Sequence, residues 1–119
     1  MTVDVGAVGD FEDRSVTLVR AEGREIGIVH WRGEIYAVSN VCTHQRGPLC
    51  RGTLGGRLTA ASPGTMELDD ETPVLACPWH GWEFDVRTGR ALWDERYAVR
   101  TYDARVEGGR VLVELRGRP

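Results

Sequence analysis

The sequence predicts an all-β domain, a small antiparallel sandwich or barrel. Three observations carry this. Short runs rich in Val, Ile, Leu and Thr recur, bounded by turn residues. Gly108-Gly109 stands between two such runs, and Gly tolerates the positive φ of a tight hairpin. No segment shows the apolar spacing of an amphipathic helix of about 12 residues.

In chain order, Ser15–Ala21 is a Val/Thr/Leu run that ends at the turn Glu22-Gly23-Arg24. Glu25–Trp31 and Ile35–Val41 flank Arg32-Gly33-Glu34, so the three runs read as a β-meander. The pattern then stops between Gly52 and Pro73, which is rich in Gly, Thr, Ser and Pro and carries Glu67, Asp69, Asp70 and Glu71. This segment, about 52–73, reads as a long solvated loop; the sharper reading is a docking loop or lid beside a functional site. Tyr97–Glu107 and Arg110–Leu115 form the last predicted hairpin, with Val111, Val113 and Leu115 on one face.

A chain of 119 residues is one domain's worth of protein and leaves no room for a large multidomain enzyme. The 41% hydrophobic and 28% charged content argues against wholesale disorder or a coiled coil. No stretch approaches the roughly 18 apolar residues of a membrane helix. Met1-Thr2-Val3-Asp4 lacks the basic and apolar regions of a signal peptide, so the expectation is a cytoplasmic protein. The net charge of −3 makes nucleic acid a poor partner, though an acidic face can dock a basic protein. Three Cys without an export signal fit metal ligation better than a disulfide framework.

Four residues stand out. Cys42 and His44 form Cys-x-His, and Cys77 and His80 form Cys-x-x-His. Thiolate with imidazole suits zinc or an iron–sulfur cluster. Both pairs lie in turn-like sequence, and each loop offers one residue of each type, so two irons could each take one type.

The motifs Cys42-Thr43-His44-Gln45-Arg46-Gly47-Pro48-Leu49 and Cys77-Pro78-Trp79-His80-Gly81-Trp82-Glu83-Phe84-Asp85 resemble the Rieske [2Fe–2S] family, and the likeness continues through Thr88-Gly89 and the C-terminal hairpin. The resemblance implies one Rieske domain over 1–119: a β-sandwich-like base with an inserted cluster-binding subdomain, its ligand loops around 42–49 and 77–84. It implies one [2Fe–2S] cluster, with Cys42 and Cys77 on one iron and His44 and His80 on the other. Neutral imidazole in place of thiolate leaves the cluster less negative, which raises its potential above that of all-Cys clusters. Gly47 and Gly81 would let backbone N–H groups approach the sulfides, and Trp79, Trp82 and Phe84 would shield the cluster from water.

Departures from the family refine this. High-potential members tie the two loops with a disulfide; the matching positions here are Gly47 and Trp79. Those members also place hydroxyl donors where this chain has Trp82 and Phe84. Fewer donors leave more negative charge on the cluster, so the expected potential is toward the low end of the Rieske range, about −150 mV. The spacer between His44 and Cys77 is 32 residues, longer than is usual in the resembled ferredoxins.

The reading is an electron carrier, not itself an enzyme, between a flavin-dependent reductase and a terminal oxygenase. The oligomeric state is open. Oxygenase subunits hold a second iron with two more His, and only His30 remains here. The alternative within the same chemistry is the small subunit of a nitrite-reductase-like enzyme. Other classes are a zinc-binding module and a redox sensor using Cys50, the thiol left over in Pro48-Leu49-Cys50-Arg51. His30, Asp85, Arg87 and Arg90 read as structural or surface residues.

Overall fold

The structure, a computed structural model, describes residues 1–41, 49–62, 65–78, 82–94 and 96–115. Among these residues nine strands run in order: β1 (Thr2–Ala7), β2 (Ser15–Ala21), β3 (Arg24–Trp31), β4 (Glu34–Ser39), β5 (Thr53–Ser62), β6 (Thr65–Ala76), β7 (Glu83–Asp85), β8 (Thr101–Glu107) and β9 (Arg110–Glu114). The helical elements among the described residues are two short 3-10 turns, Val8–Asp10 and Leu49–Arg51. No helix among them is long and apolar enough to cross a membrane.

Six strands form one antiparallel sheet in the order β1-β9-β8-β4-β3-β2. The sheet curls until its outer strands β1 and β2 come into contact. The other three form a second antiparallel sheet, β5-β6-β7. The second sheet lies between β4 and β8 in sequence, so it is inserted into the first.

The predicted meander and final hairpin are present. The two-residue turns β2–β3, β3–β4 and β8–β9 have positive φ at both central residues: Glu22 (50°) and Gly23 (77°), Arg32 (52°) and Gly33 (82°), Gly108 (56°) and Gly109 (77°). That is the type I′ requirement, whose twist matches the flanking strands.

Three expectations need correction. The stretch about 52–73 is not a loop; Thr53–Ser62 and Thr65–Ala76 pair as a long hairpin with register shifts at Gly55/Arg57 and Ala60/Ser62. A ladder is built from backbone N–H and C=O groups that almost every residue carries, so it can form where apolar alternation is weak. A trace of the signal was present in Met66-Glu67-Leu68-Asp69, which alternates with period two. The last long strand begins at Thr101 rather than Tyr97, because Tyr97–Val99 pairs back on residues 89–91: Ala91 N–H donates to the Tyr97 carbonyl at 2.8 Å and Val99 N–H to the Gly89 carbonyl at 2.7 Å. β4 stops at Ser39, before the run Ile35–Val41 ends.

Two cores share one wall. Ile26 and Ile28 on β3, with Ala37 on β4, join Phe11, Tyr102, Val111, Val113 and Leu115 inside the curled sheet. The alternate residues Val29 and Trp31, with Val38, join Leu49, Cys50, Leu75, Cys77, Phe84, Val86 and Val99 beneath the inserted sheet. The period of two sends successive residues to opposite faces, and here both faces are dry. This is why β3 reads as a nearly continuous apolar run.

Candidate metal centre

Two loops carry the Cys/His pairs, and each has a well-defined neck. The first leaves β4 at Asn40 and returns at Leu49. Asn40 is buried, and its polar groups are used. Its backbone carbonyl accepts from Leu49 N–H at 2.8 Å, and its side-chain oxygen accepts from Cys50 N–H at 2.8 Å. Its backbone N–H donates to the Glu25 carbonyl at 3.0 Å, and its side-chain Nδ2 donates to the Glu25 carboxylate at 3.3 Å. One residue thus ties both ends of the loop to the start of β3.

The second loop leaves β6 at Cys77 and returns at Trp82, where Cys77 N–H donates to the Trp82 carbonyl at 2.8 Å. Cys77 is only 1% exposed and sits in the core beneath the inserted sheet, while the next residue, Pro78, is exposed. The two necks abut at Gly52. A Cβ there would fall 1.6 Å from the Ala76 carbonyl oxygen, so only glycine fits.

Of the predicted ligands, Cys77 is placed by the structure. Cys42, His44 and His80 lie outside the described residues, as do Gly47, Trp79 and Gly81. Trp82 packs against the core that holds Cys77, and Phe84 is buried in it. Trp82 also begins an aromatic group that the sequence reading missed. Its ring meets Trp93 edge-on at 4.3 Å and Tyr97 at 5.3 Å, and Trp93 stacks on Tyr97 at 6.2 Å. Trp93 and Tyr97 remain 51% and 42% exposed. The signal was compositional only: four aromatics between 82 and 97.

The donor set fits a [2Fe–2S] group with mixed ligation. A buried thiol at a closed neck, the returning end of the first loop at Gly52 against the residue before it, and two Cys and two His in the sequence of the two loops are what such a group needs. Burial of the Cys77 sulfur keeps water from it, and Trp82 packs against the same core.

The remaining candidates are structural. Cys50 points at β3, where a Cβ on Gly27 would lie 2.1 Å from its sulfur. Burial pushes its thiol up to about 12, and the Glu25 charge adds to the shift. A thiol so hard to ionise is a poor nucleophile, against the redox-sensor reading. His30 Nδ1 lies 2.8 Å from the Phe11 carbonyl oxygen, which fixes the ring on β3. Asp85 accepts from Arg87 N–H at 2.9 Å and pairs with its guanidinium at 3.0 Å, a turn contact at the surface.

Comparison with known proteins agrees with this geometry. The family model for the Rieske [2Fe-2S] domain matches residues 1–103. The chain is 33% identical over 114 residues to the ferredoxin component of a naphthalene 1,2-dioxygenase system from Pseudomonas aeruginosa, covering 95% of this chain and 94% of that one. Its fold superposes on the ferredoxin of carbazole 1,9a-dioxygenase from Nocardioides aromaticivorans with a TM-score of 0.73 and 29% identity, over 95% and 96% of the two chains. A putative NADH-dependent nitrite reductase small subunit from Mycobacterium tuberculosis shares the fold at a TM-score of 0.77 and 23% identity, over 100% and 96%. The chain belongs to the Rieske [2Fe-2S] domain family.

Proposed function

We propose that this chain is a Rieske ferredoxin, a single domain that holds one [2Fe–2S] cluster and passes single electrons from a flavin-dependent reductase to a terminal oxygenase. Cys42 and Cys77 ligate one iron, His44 and His80 the other. The observation that carries the reading is the family match across both Cys/His pairs. The burial of Cys77 at a neck that abuts the other loop supports it.

When bound, the cluster supplies reversible one-electron chemistry. The chain holds the ligands, excludes water through Phe84, Trp82 and their aromatic neighbours, and closes each loop at its base. Its three His are accounted for, two as ligands and His30 at the Phe11 carbonyl. Oxygenation therefore belongs to the partner. The likeness to oxygenase-system ferredoxins supports this role over that of a nitrite-reductase small subunit, where the likeness reaches the fold alone. The requirement for thiolate ligands supports a reducing compartment, the cytoplasm.

The test is an EPR spectrum of the dithionite-reduced protein purified without oxygen. A rhombic signal with average g below the free-electron value supports the cluster. A colourless, silent protein containing zinc overturns it. Redox titration then checks the tuning: with Trp82 and Phe84 in place of hydroxyl donors, the potential is expected near the low end of the family range, about −150 mV. A value above about +150 mV contradicts that account.

A further inference from the structure

The two ligand loops are joined by residues that ligate nothing. From Glu25 the connection runs to Asn40 through two hydrogen bonds, 3.0 Å between backbones and 3.3 Å between side chains. From Asn40 it runs to the returning end of the first loop, through Leu49 N–H and Cys50 N–H, both at 2.8 Å. Leu49 then receives Gly52 N–H on its carbonyl at 3.0 Å. Gly52 finally meets β6 with its Cα against the Ala76 peptide. A Cβ there would stand 1.6 Å from the Ala76 oxygen, 2.8 Å from its carbon and 3.2 Å from the Leu49 oxygen. All three atoms are backbone, so no rotamer change relieves the clash. Ala76 is the residue before Cys77.

We propose that Asn40 and Gly52 are positioning residues for the metal centre: together they set the distance and orientation between the two ligand loops. This rests on the cluster reading above. Metal ligands act through groups that orient them, and loss of such a partner typically costs 10–100-fold in metal affinity. Here the oriented object is a whole loop. A displaced neck moves Cys77 relative to the first ligand pair, and ligand geometry shapes both the g-tensor and the potential.

The experiment compares Gly52→Ala, Asn40→Ala and the pair Asn40→Asp with Glu25→Gln in the anaerobically purified protein. That pair keeps the acceptor for Cys50 N–H and reverses donor and acceptor across the 3.3 Å contact. Val113→Ala, inside the curled sheet, serves as a control for plain loss of packing. Iron retention against a chelator, EPR g-values and potential are read alongside the melting temperature. Gly52→Ala and Asn40→Ala are expected to lower iron retention about tenfold or more and to shift g-values and potential. The Asn40/Glu25 pair is expected to restore them, and Val113→Ala to melt earlier with an unchanged spectrum. If Gly52→Ala yields no folded protein, Asn40→Ala against the restoring pair decides. Wild-type g-values, potential and iron retention in Asn40→Ala, with only earlier melting, overturn the proposal. A wild-type protein without the rhombic signal overturns the cluster reading and this inference with it, so the two failures are distinguishable.

Discussion

The curled sheet and the inserted region are both antiparallel, yet they hold their chain in different ways. Inside the curled sheet, side chains from β3, β4, β8 and β9 interlock, and apolar burial of about 1.5–3 kcal/mol per large side chain carries the fold. At the necks of the inserted region, control passes to the backbone: a buried Asn that closes a loop, a peptide pressed on a glycine, a Cys77 N–H donated across the loop to the Trp82 carbonyl. A metal site adds folding energy of its own, so its surroundings need precise placement more than bulk. β3 and β4 belong to both regions, one face each.

That division can be broken or sharpened experimentally. The largest effect is expected from Cys77→Ser, which removes a buried thiol proposed as a ligand: iron content and visible colour should collapse while far-UV circular dichroism keeps its strand signature. Retained iron would show that Cys77 is not a ligand.

Next comes a comparison within one strand. Ile28→Ala opens a cavity in the curled sheet and should cost about 2–5 kcal/mol in chemical denaturation, with g-values unchanged. Val29→Ala, one residue on but facing the other core, should cost less, on the order of 1.5–3 kcal/mol, and should disturb the EPR spectrum. Equal spectra from both variants would mean that the shared wall does not separate the regions.

Gly27→Ala drives a methyl into the Cys50 sulfur and should destabilise by about 1–3 kcal/mol, the range for overpacking. Combining it with Cys50→Ala should recover much of the loss, as a double-mutant cycle would read. The smallest effect is an absence of reaction. With its thiol up at about 12, Cys50 is about one part in ten thousand thiolate at pH 8. It should resist iodoacetamide in the native protein and react on unfolding. Native labelling at the rate of an exposed thiol would reopen the redox-sensor reading.

Much of this was legible beforehand. The meander, the three tight turns and the last hairpin followed from local residue choice, because type I′ turns and period-two faces are short-range signals. Both Cys/His pairs were visible for the same reason. β1 and β7 were not: β7 has three residues, and β1 pairs with β9 from the far end of the chain. The β5–β6 hairpin reads as a loop in sequence because backbone pairing leaves only a faint mark in composition. Asn40 falls inside the expected strand Ile35–Val41 and Gly52 at the edge of the expected loop, since nothing nearby in sequence names their partners. Trp93 and Tyr97 joined Trp82 only through the return of residues 89–99.

By itself, the sequence determined the chemistry available and the local geometry: which residues can bind metal, which turns are tight, and which faces are apolar. Spacing and side-chain type are enough for that. Tertiary structure alone decided which loop neck lies against which, and that the glycine between them has no room for a side chain. Those contacts join residues 15 to 24 positions apart, Glu25 to Asn40 and Gly52 to Ala76. Their cost and benefit exist only once the chain has folded back on itself.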